Sequence, residues 1–454
     1  MFGEFSRRSF LKQAGAMAAG IGLGLTADSL ERVVAQQADT PETVGANERL
    51  VAGFIGLGGM GNANLGDFMR CPEVRVAAVC DVDEGRRLAA AKRVGEGCDA
   101  VNDYQRIIER PDIDLVVIST PDNWHSLPSI HACEAGKDVY CEKPMSLTIQ
   151  EGRAMCQAAA RYGRVTQIGT QQRGGTHFQR AVEVVQSGAL GRISLTRTWI
   201  IGNGGSMGWP QDSDPPPGLD WDLWLGPAPY RRYNPARCHG SFRFFWDTAG
   251  GTICDWGTHL MDIIHWGMQV DAPLACTASG GKYVFDDCRE TPDTQEVMWD
   301  YPGFTALWSL RQGNGYPFWF PNSLKEPIWQ AGVTLAPVGG KGYGMAFYGE
   351  KGTLFIDRDG WIIHPEGDRM QGVQSGGSEQ HYAHVRDFIQ CVKTREQCRS
   401  NFETAHRSTT APNLGNIAYL TGRKIRWDRD REQVIDDPDA NRLTGRAMRE
   451  PWHL

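Results

Sequence analysis

The sequence predicts an α/β protein: a doubly wound parallel sheet in the N-terminal part, and an α+β domain with an open-faced mixed or antiparallel sheet in the C-terminal part. Apolar runs alternate with helical segments between residues 49 and 169, a pattern typical of parallel strands joined by helices. Apolar runs also recur between residues 275 and 364, but without helical segments between them. This change of pattern predicts two domains, 49–169 and 170–454.

The first domain has uniformly apolar strands, which is expected when helices cover both faces of a parallel sheet. The predicted strands are 49–55, 74–80, 114–119, 138–142 and 164–169. The predicted helices between them are 59–70, 83–94, 126–136 and 148–162. The order of these elements predicts successive β–α–β units.

The second domain begins with a predicted helix at 176–187 and a strand at 192–201, followed by an insert rich in Pro, Gly and Trp at 202–250. Its further predicted strands are 275–285, 294–300, 304–311, 345–348, 353–357 and 361–364. Two late helices are predicted at 379–394 and 403–422, the second with a possible break at Pro412.

Residues 1–35 have the pattern of a twin-arginine export signal. Paired arginines precede a weakly hydrophobic, Ala/Gly-rich core in "SRRSFLKQAGAMAAGIGLGL", and small residues at 33–35 suggest a cleavage site. The alternative is a short amphipathic helix. The pattern predicts an exported, periplasmic protein whose partner is the twin-arginine export machinery, with a polar linker at 36–48. That machinery carries folded proteins, often with a cofactor already bound.

The composition of the 454 residues is that of an ordinary globular protein, with 41% hydrophobic and 22% charged residues. The net charge of −7 argues against a nucleic-acid partner. The 12 cysteines form no CxxC pair, so their spacing predicts neither a metal site nor a disulfide pairing.

A glycine-rich turn follows the first predicted strand and opens the first helix. Gly56, Gly58 and Gly61 form G-x-G-x-x-G, and Asp81 stands at the end of the second strand. This context predicts a Rossmann dinucleotide-binding domain, in which Gly59 and Met60 also border the pyrophosphate. An acidic residue at that position favours NAD over NADP because it binds ribose hydroxyls. Arg86 and Arg87 keep NADP possible.

Two further motifs follow strand ends, "STPDNWH" at 119–125 and "CEKPMSL" at 141–147. Together with "GGTICDWGTHLMD" at 250–262, they make the chain resemble the Gfo/Idh/MocA family of NAD(P)-dependent sugar and polyol oxidoreductases. The resemblance implies that Lys143 is the catalytic lysine and that Asp255 and His259 are its partners. It also implies that Pro121, His125 and Glu142 help seat the nicotinamide half of the cofactor. Thr120, Asn123 and Lys143 of the same motifs are further expected cofactor-binding residues. A cis Lys143–Pro144 bond and a homo-oligomer formed through the C-terminal sheet are further expectations.

The segment "ICDWGTHLMDII" at 253–264 is predicted to be a helix with Asp255, His259 and Asp262 on one face. His259 suits a general base for a substrate hydroxyl, and Asp255 would either orient His259 or hold a neighbouring hydroxyl. Asp262 is assigned a structural hydrogen-bonding role. The rival interpretation is a metal site, but a third or fourth ligand would have to come from elsewhere, and we expect none.

Polar side chains beyond the domain crossover are candidate ligands of the substrate. The expected substrate residues are Gln172, Arg173 and His177, together with Asp255 and His259, and further candidates are Gln171, Tyr230, Arg237 and His239.

The expected activity is hydride transfer from a secondary hydroxyl of a sugar, polyol or glycoside to a nicotinamide cofactor. Free NAD is not expected outside the cytoplasm, so the cofactor should be tightly bound and recycled within the site. A redox-neutral glycosidase, which oxidises its substrate, eliminates the aglycone, adds water and reduces the product again, is the alternative. A non-catalytic sugar-binding protein is a third hypothesis.

Overall fold

The computed structural model describes residues 49–315 and 342–454, so the predicted export signal and linker at 1–48 lie outside the described residues. The first sheet contains six parallel strands in the order β3-β2-β1-β4-β5-β6. The strands are β1 (Leu50–Ile55), β2 (Val74–Cys80), β3 (Asp99–Val101), β4 (Leu115–Ile118), β5 (Asp138–Cys141) and β6 (Thr166–Ile168). This order places β1 and β4 at the centre, where a doubly wound sheet reverses direction.

The helices of the first domain follow the predicted ones within about two residues, except for the short α3, which was not predicted. They are α1 (Gly59–Met69), α2 (Glu84–Val94), α3 (Gln105–Ile108), α4 (Ser126–Glu134) and α5 (Ile149–Tyr162). A capping box of Thr148 and Glu151 starts α5, and Gly163, in the left-handed conformation, ends it.

The second sheet is mixed, because β7 and β10 pair in parallel while the other neighbours in the sheet are antiparallel. Its order is β15-β14-β13-β12-β7-β10-β9-β8-β16-β17, with β11 beside β7. The strands are β7 (Ile193–Asn203), β8 (Ala275–Gly281), β9 (Thr294–Tyr301), β10 (Phe304–Arg311), β11 (Gly313–Asn314), β12 (Tyr343–Gly349), β13 (Gly352–Asp357), β14 (Gly360–Pro365), β15 (Gln374–Gly376), β16 (Ile425–Asp428) and β17 (Gln433–Val434).

The remaining helices are α6 (Thr176–Gln186), α7 (Trp221–Leu225), α8 (Thr258–Met268), α9 (His381–Thr394), α10 (Phe402–Thr421) and α11 (Pro438–Arg442). Apolar residues of α6, α8 and α10 form one buried core with one face of the second sheet. The break considered at Pro412 is wrong, since α10 is continuous through that residue. The packing of α10 in this core outweighs the loss of one helical N–H.

Helix α9 packs on the first sheet, although it lies more than 200 residues after it in the chain. Val385, Phe388 and Ile389 join the core that contains Phe54 and Phe68. The first domain is therefore completed by residues beyond the boundary that the sequence predicts.

The insert at 202–250 crosses the edge of the first domain. Asp83 and Leu219 form an isolated antiparallel bridge, and the Glu84 N–H donates to the Gly218 carbonyl over 2.8 Å. The Trp124 indole N–H donates to the carbonyls of Leu223 and Trp224. The insert is therefore a strap over the first domain, and we use that name for it below.

Candidate active site

A cavity follows the carboxyl ends of β2, β1, β4 and β5, where ligands bind in open α/β sheets. The strap closes one side of it with Leu223, Trp224, His239, Gly240, Phe242 and Arg243. Of the predicted cofactor residues, the cavity wall contains Gly56, Gly58, Gly59, Met60, Asp81, Thr120, Pro121, Glu142 and Lys143.

The glycine-rich turn forms a concave cradle, which side chains at the glycine positions would fill. Gly56 has a φ of +86°, which L side chains rarely adopt. A Cβ on Gly61 would collide with the Gly56 carbonyl oxygen, so α1 approaches β1 as closely as the fingerprint requires. No acidic side chain stands in the first turn of α1, which leaves its N-terminal dipole available to an anion. These features fit a dinucleotide pyrophosphate.

Asp81 lies at the β2 end of the same cavity. Its carboxylate accepts hydrogen bonds from the backbone N–H of Leu57, over 2.7 Å, and of Asp83, over 2.9 Å. Burial raises the pKa of Asp81. Arg86 and His239 line the same end, and His239 Nε2 is 3.0 Å from Asp83 Oδ2. A ribose bound here would thus meet the carboxylate of Asp81 and the basic side chains of Arg86 and His239. These groups are compatible with both NAD and NADP.

Two residues expected to bind the cofactor, Asn123 and His125, support the loops around the cavity. The Asn123 side chain donates to the Leu225 carbonyl over 3.0 Å and so holds the strap. His125 lies between the carbonyls of Pro144 and Thr120, at 2.6 and 3.0 Å. Neither lines the cavity, and in this structure both support the loops around it; Asp255 and His259 also lie outside the cavity wall. The Lys143–Pro144 bond is cis, as predicted.

Lys143 and Asp255 form the centre of the site. Lys143 Nζ donates to Asp255 Oδ1 over 2.5 Å and to the Asp255 carbonyl over 2.9 Å. Arg243 of the strap donates to the same carboxylate oxygen over 3.1 Å. Burial by itself would raise the pKa of Asp255, but Lys143 and Arg243 outweigh it and lower the pKa to about 2. The cluster therefore holds an ionised carboxylate between two cations.

The helix that carries Asp255 differs from the predicted one. Ile253–Gly257 is a single π-helical turn, and the α-helix α8 begins only at Thr258. π-helical turns are rare in proteins, and those that occur are often found at functional sites. Asp255 therefore lies on the π turn and His259 on the α-helix, so the predicted single α-helical face is wrong. Nothing in the apolar spacing distinguished the two helix types.

Asp122 is a further cavity residue that the motif analysis passed over. Burial raises its pKa to about 7, and Asp255 adds to the rise, while Arg243 and Lys143 oppose it. A second carboxyl group beside the Lys143–Asp255 pair thus titrates near neutral pH. Its position directly after Pro121 was the only sequence signal for it.

Glu142 stands behind Lys143 and is held by two amides. Asn64 and Gln171 each donate to Glu142 Oε1 over 2.9 Å, and burial raises the pKa of Glu142. Gln171 therefore supports the lysine loop. Its neighbour Gln172 is buried, with neither amide atom hydrogen-bonded.

His259 lies beyond Lys143, on the side of the second domain. It is buried, and its Nδ1 has no hydrogen-bond partner. Burial, with Lys143 and Arg358 adding to it, holds the pKa of His259 well below its usual value. The imidazole is therefore neutral and can accept a proton, although the lowered pKa also makes it a weaker base than a free histidine. Trp256 packs near the His259 ring, Arg358 and His381 act on it electrostatically, and Tyr343 packs against Trp256. All four are half-buried side chains that the sequence analysis missed.

Arg173 and His177 do not serve as predicted. Arg173 makes a bidentate ion pair with Asp262, at 2.6 and 2.9 Å, and the Asp262 side chain is 0% exposed. His177 Nδ1 is 2.9 Å from Ser378 Oγ, and its Nε2 is 3.2 Å from the Asp357 carbonyl. Their assignment as substrate ligands is corrected to a structural role, because their polar atoms are already engaged. The structural role given to Asp262 agrees with this ion pair.

The substrate candidates in the strap are dispersed. Tyr230 is exposed on the surface, and Arg237 pairs with Glu290 over 2.8 Å. Only His239 reaches the cavity, at its Asp81 end.

Among the described residues, no group of three or more His, Cys, Asp or Glu side chains is placed to hold a metal ion. In the same part of the chain, no helix is long and apolar enough to cross a membrane.

Comparison with known proteins matches both domains. The NAD-binding Rossmann-fold domain of the Gfo/Idh/MocA oxidoreductase family matches residues 50–170. The C-terminal alpha/beta domain of the same family matches residues 181–279 and 375–454.

Among curated proteins, an inositol 2-dehydrogenase of Rubrobacter xylanophilus is 32% identical over 157 residues, which are 34% of this chain and 45% of the relative. An alpha-N-acetylgalactosaminidase of Shewanella oneidensis is 28% identical over 202 residues, 41% of this chain and 44% of the relative. The chain thus matches less than half the length of each relative.

Two solved structures show the same fold over most of the chain. A levoglucosan dehydrogenase in complex with NADH and levoglucosan superposes with a TM-score of 0.63 at 18% identity, covering 83% of this chain and 99% of the other. The aldose-aldose oxidoreductase from Caulobacter crescentus has a TM-score of 0.62 at 19% identity, with the same coverage.

The parallel sheet, the glycine cradle and the lysine–carboxylate cluster define an oxidoreductase-type protein with an NAD-binding Rossmann domain. The chain belongs to the Gfo/Idh/MocA oxidoreductase family.

Proposed function

We propose that the protein oxidises a secondary hydroxyl of a sugar, polyol or glycoside with a tightly bound NAD(P) cofactor. The main support for this proposal is the arrangement of one cavity. Lys143, Asp255 and Arg243 meet at one end of it, and the glycine cradle forms the other end. Sugar and polyol names among the relatives and solved structures support a carbohydrate substrate.

The cofactor would lie along the cavity with its pyrophosphate at Gly56–Gly61, its ribose near Asp81 and its nicotinamide half near Lys143. When bound, the nicotinamide cofactor would supply the chemistry of accepting a hydride and returning it. A ribose hydroxyl would donate to Asp81, and we expect NAD to be preferred to NADP. Arg86 and His239 at the same end are the groups that would admit the 2′-phosphate of NADP.

The chain's own residues handle the proton and the charge. His259, neutral because burial lowers its pKa, accepts the proton of the substrate hydroxyl. Lys143 donates a hydrogen bond to the same oxygen and stabilises negative charge as it develops there. Asp255, ionised between two cations, fixes the position of Lys143 Nζ.

The strap favours retention of the cofactor, because its residues cover the cavity and are hydrogen-bonded to the first domain. We therefore expect the dinucleotide to remain bound through purification. Heat denaturation followed by chromatography of the released nucleotide measures it and distinguishes NAD from NADP. Gly61→Ala should lose the nucleotide, since its Cβ would strike the Gly56 carbonyl. Gly376→Ala, where a Cβ meets nothing within 4 Å, is the matched control.

A redox-neutral glycosidase is the second candidate function. Curated relatives include proteins named as glycosyl hydrolase family 109 members and as an alpha-N-acetylgalactosaminidase. Asp122 adds a second titratable carboxyl at the cluster, which could serve the extra proton transfers of elimination and hydration.

One experiment separates the candidates. The purified holoenzyme is mixed with free sugars and with nitrophenyl glycosides, while absorbance is followed at 340 nm for reduced cofactor and at 400 nm for nitrophenol. Net oxidation gives a 340 nm signal without nitrophenol, and redox-neutral cleavage gives nitrophenol without a lasting 340 nm signal. Absence of any bound dinucleotide would contradict both candidates and favour a non-catalytic sugar-binding protein.

Location and assembly belong to the same proposal. We propose export through the twin-arginine machinery to the periplasm, and a homo-oligomer formed through the C-terminal sheet. Replacing Arg7 and Arg8 with lysine should retain the protein in the cytoplasm. Light scattering of the purified protein measures the oligomeric state.

A further inference from the structure

Arg358 presents a half-buried cation without a counter-ion among the described residues. It stands in the turn between β13 and β14, and its guanidinium carbon lies 4.8 Å from the centroid of the Trp256 ring. Its Nε is buried and has no hydrogen-bond partner. Within residues 49–315 and 342–454, no carboxylate forms an ion pair with this side chain.

The two carboxylates that influence Arg358 most are already engaged. Asp255 is held by Lys143 and Arg243, and Glu142 accepts from Asn64 and Gln171. Burial lowers the pKa of Arg358, the signature of a cation removed from water without full compensation. Buried charges are normally paired, so the charge is available to a ligand.

The turn that carries Arg358 is fixed in place. Gln380 donates to the Arg358 carbonyl over 3.0 Å, and His177 Nε2 lies 3.2 Å from the carbonyl of Asp357. His177 thus acts on the site indirectly, by holding this turn. A cation held in a fixed position can bind a ligand without paying for loop ordering.

Arg358 is also close to the reacting group. Lys143, Arg358, His381 and His384 all lower the pKa of His259, so several basic side chains act on this group. Trp256, on which Arg358 stacks, is 6.2 Å from the His259 ring between centroids. The groups around His259 therefore form a basic, aromatic-backed surface next to the proton acceptor.

We propose that Arg358 binds the carboxylate of a sugar acid and so presents a neighbouring hydroxyl to His259 and Lys143. This inference rests on the proposed oxidation of a carbohydrate and specifies its substrate as acidic rather than neutral. A guanidinium matches a carboxylate because both are planar and can form two parallel hydrogen bonds. His381, half-buried beside it, offers a further donor to the same group.

Calorimetric binding to the holoenzyme tests this inference without requiring turnover. The probes are methyl β-D-glucuronide and methyl β-D-glucoside, or the corresponding galacto pair, which differ within each pair only in the carboxylate. We expect the acid to bind at least about tenfold more tightly than its neutral counterpart. Arg358→Gln should weaken acid binding about 30-fold, equivalent to about 2 kcal/mol, and leave neutral binding unchanged. Arg358→Lys should restore part of the loss because it keeps the charge but not the planar fork.

Arg192→Gln is the matched control, since the Arg192 side chain is 90% exposed on the surface. Thermal unfolding and nucleotide content of each variant show that it is folded and loaded. Equal binding of acid and neutral sugars in both pairs, or equal effects of Arg358→Gln on both, would overturn the inference. If the acid binds through Arg358 but reduces no cofactor and releases no aglycone, the proposed oxidation fails while the anion site stands.

Discussion

Asp255 and Asp262 stand seven residues apart in one helical segment and have opposite environments. Asp255 lies on the π turn, its side chain is 17% exposed, and it faces Lys143 and Arg243 at the cavity. Asp262 lies on the α-helix with a fully buried side chain, and it pairs with Arg173 and accepts from Ser408. The same residue type thus contacts two cavity-lining cations at one end of the segment and closes a buried ion pair at the other.

The two ion pairs, Arg173–Asp262 and Lys143–Asp255, differ in what surrounds them. Arg173, Asp262 and Ser408 hydrogen-bond to one another, and none of them lines the cavity, so we interpret that cluster as a folding element. The Lys143–Asp255 cluster is bordered by a cavity on one side. A charged pair therefore indicates chemistry only when one of its faces remains open to a reacting group.

Removing Lys143 should have the largest effect. Lys143→Ala takes away the donor to the reacting oxygen, and kcat should fall by about 10³–10⁴-fold. Bound nucleotide, measured after denaturation, should be retained. Lys92→Ala, an exposed lysine, is the control. Activity within about tenfold of the wild type would refute the role given to Lys143.

Removing Asp262 should instead damage stability. Asp262→Ala leaves Arg173 buried and unpaired, so the free energy of unfolding should decrease by about 3–5 kcal/mol. Denaturant unfolding measures it. The double variant Arg173→Leu/Asp262→Leu should recover much of the loss, because it buries no unpaired charge. An unfolding curve of Asp262→Ala that matches the wild type would show that this pair is not structural.

Asp122 should make stability depend on pH. Its folded pKa of about 7 lies above the unfolded value of about 4, so the native state binds more protons between these values. Stability from this group is therefore full below pH 4 and decreases as pH rises towards 7, by at most about 1.4 kcal/mol per pH unit. Asp122→Asn should flatten this part of the profile. Parallel profiles for the two proteins between pH 4 and 7 would contradict the shift.

Removing Arg243 should have the smallest effect, since Lys143 still pairs with Asp255. With one cation gone, the pKa of Asp255 should rise from about 2, and the loss of activity in acid should begin at a higher pH. We expect about a tenfold decrease in kcat near neutral pH. Arg231→Gln, which breaks a more exposed pair with Asp247 in the same strap, is the control. If activity is lost at the same acidic pH in the variant and the wild type, Arg243 does not act through Asp255.

The elements of the first domain were predictable because their signals are local. The run at 74–80 is observed as β2 without change, and the turn from β1 into α1 follows directly from the spacing of three glycines. Strand β3 was missed because its three residues, one of them an exposed aspartate, form no apolar run. The strand predicted at 275–285 ends at Gly281, since Asp293 instead binds the backbone N–H groups of residues 283–285.

Only the site residues that belong to recognisable sequence motifs could be predicted. Lys143 and Asp255 were found because each stands in a recognisable string of residues. Arg173 was misassigned because its partner lies 89 positions away, and no local pattern reveals that distance. Arg358 was missed for the same reason, since its turn reaches the site only through the packing of β13, β14 and α9.

The strap has a consequence for the order of assembly. Trp224, Phe242 and Arg243 of the strap form part of the cavity wall, so we expect a nucleotide to enter more easily before the strap has packed on the first domain. Protein refolded from denaturant should then regain activity only if dinucleotide is present from the start, and addition afterwards should restore little. In a chain folded without it, the same hydrogen bonds that retain the cofactor would slow its entry.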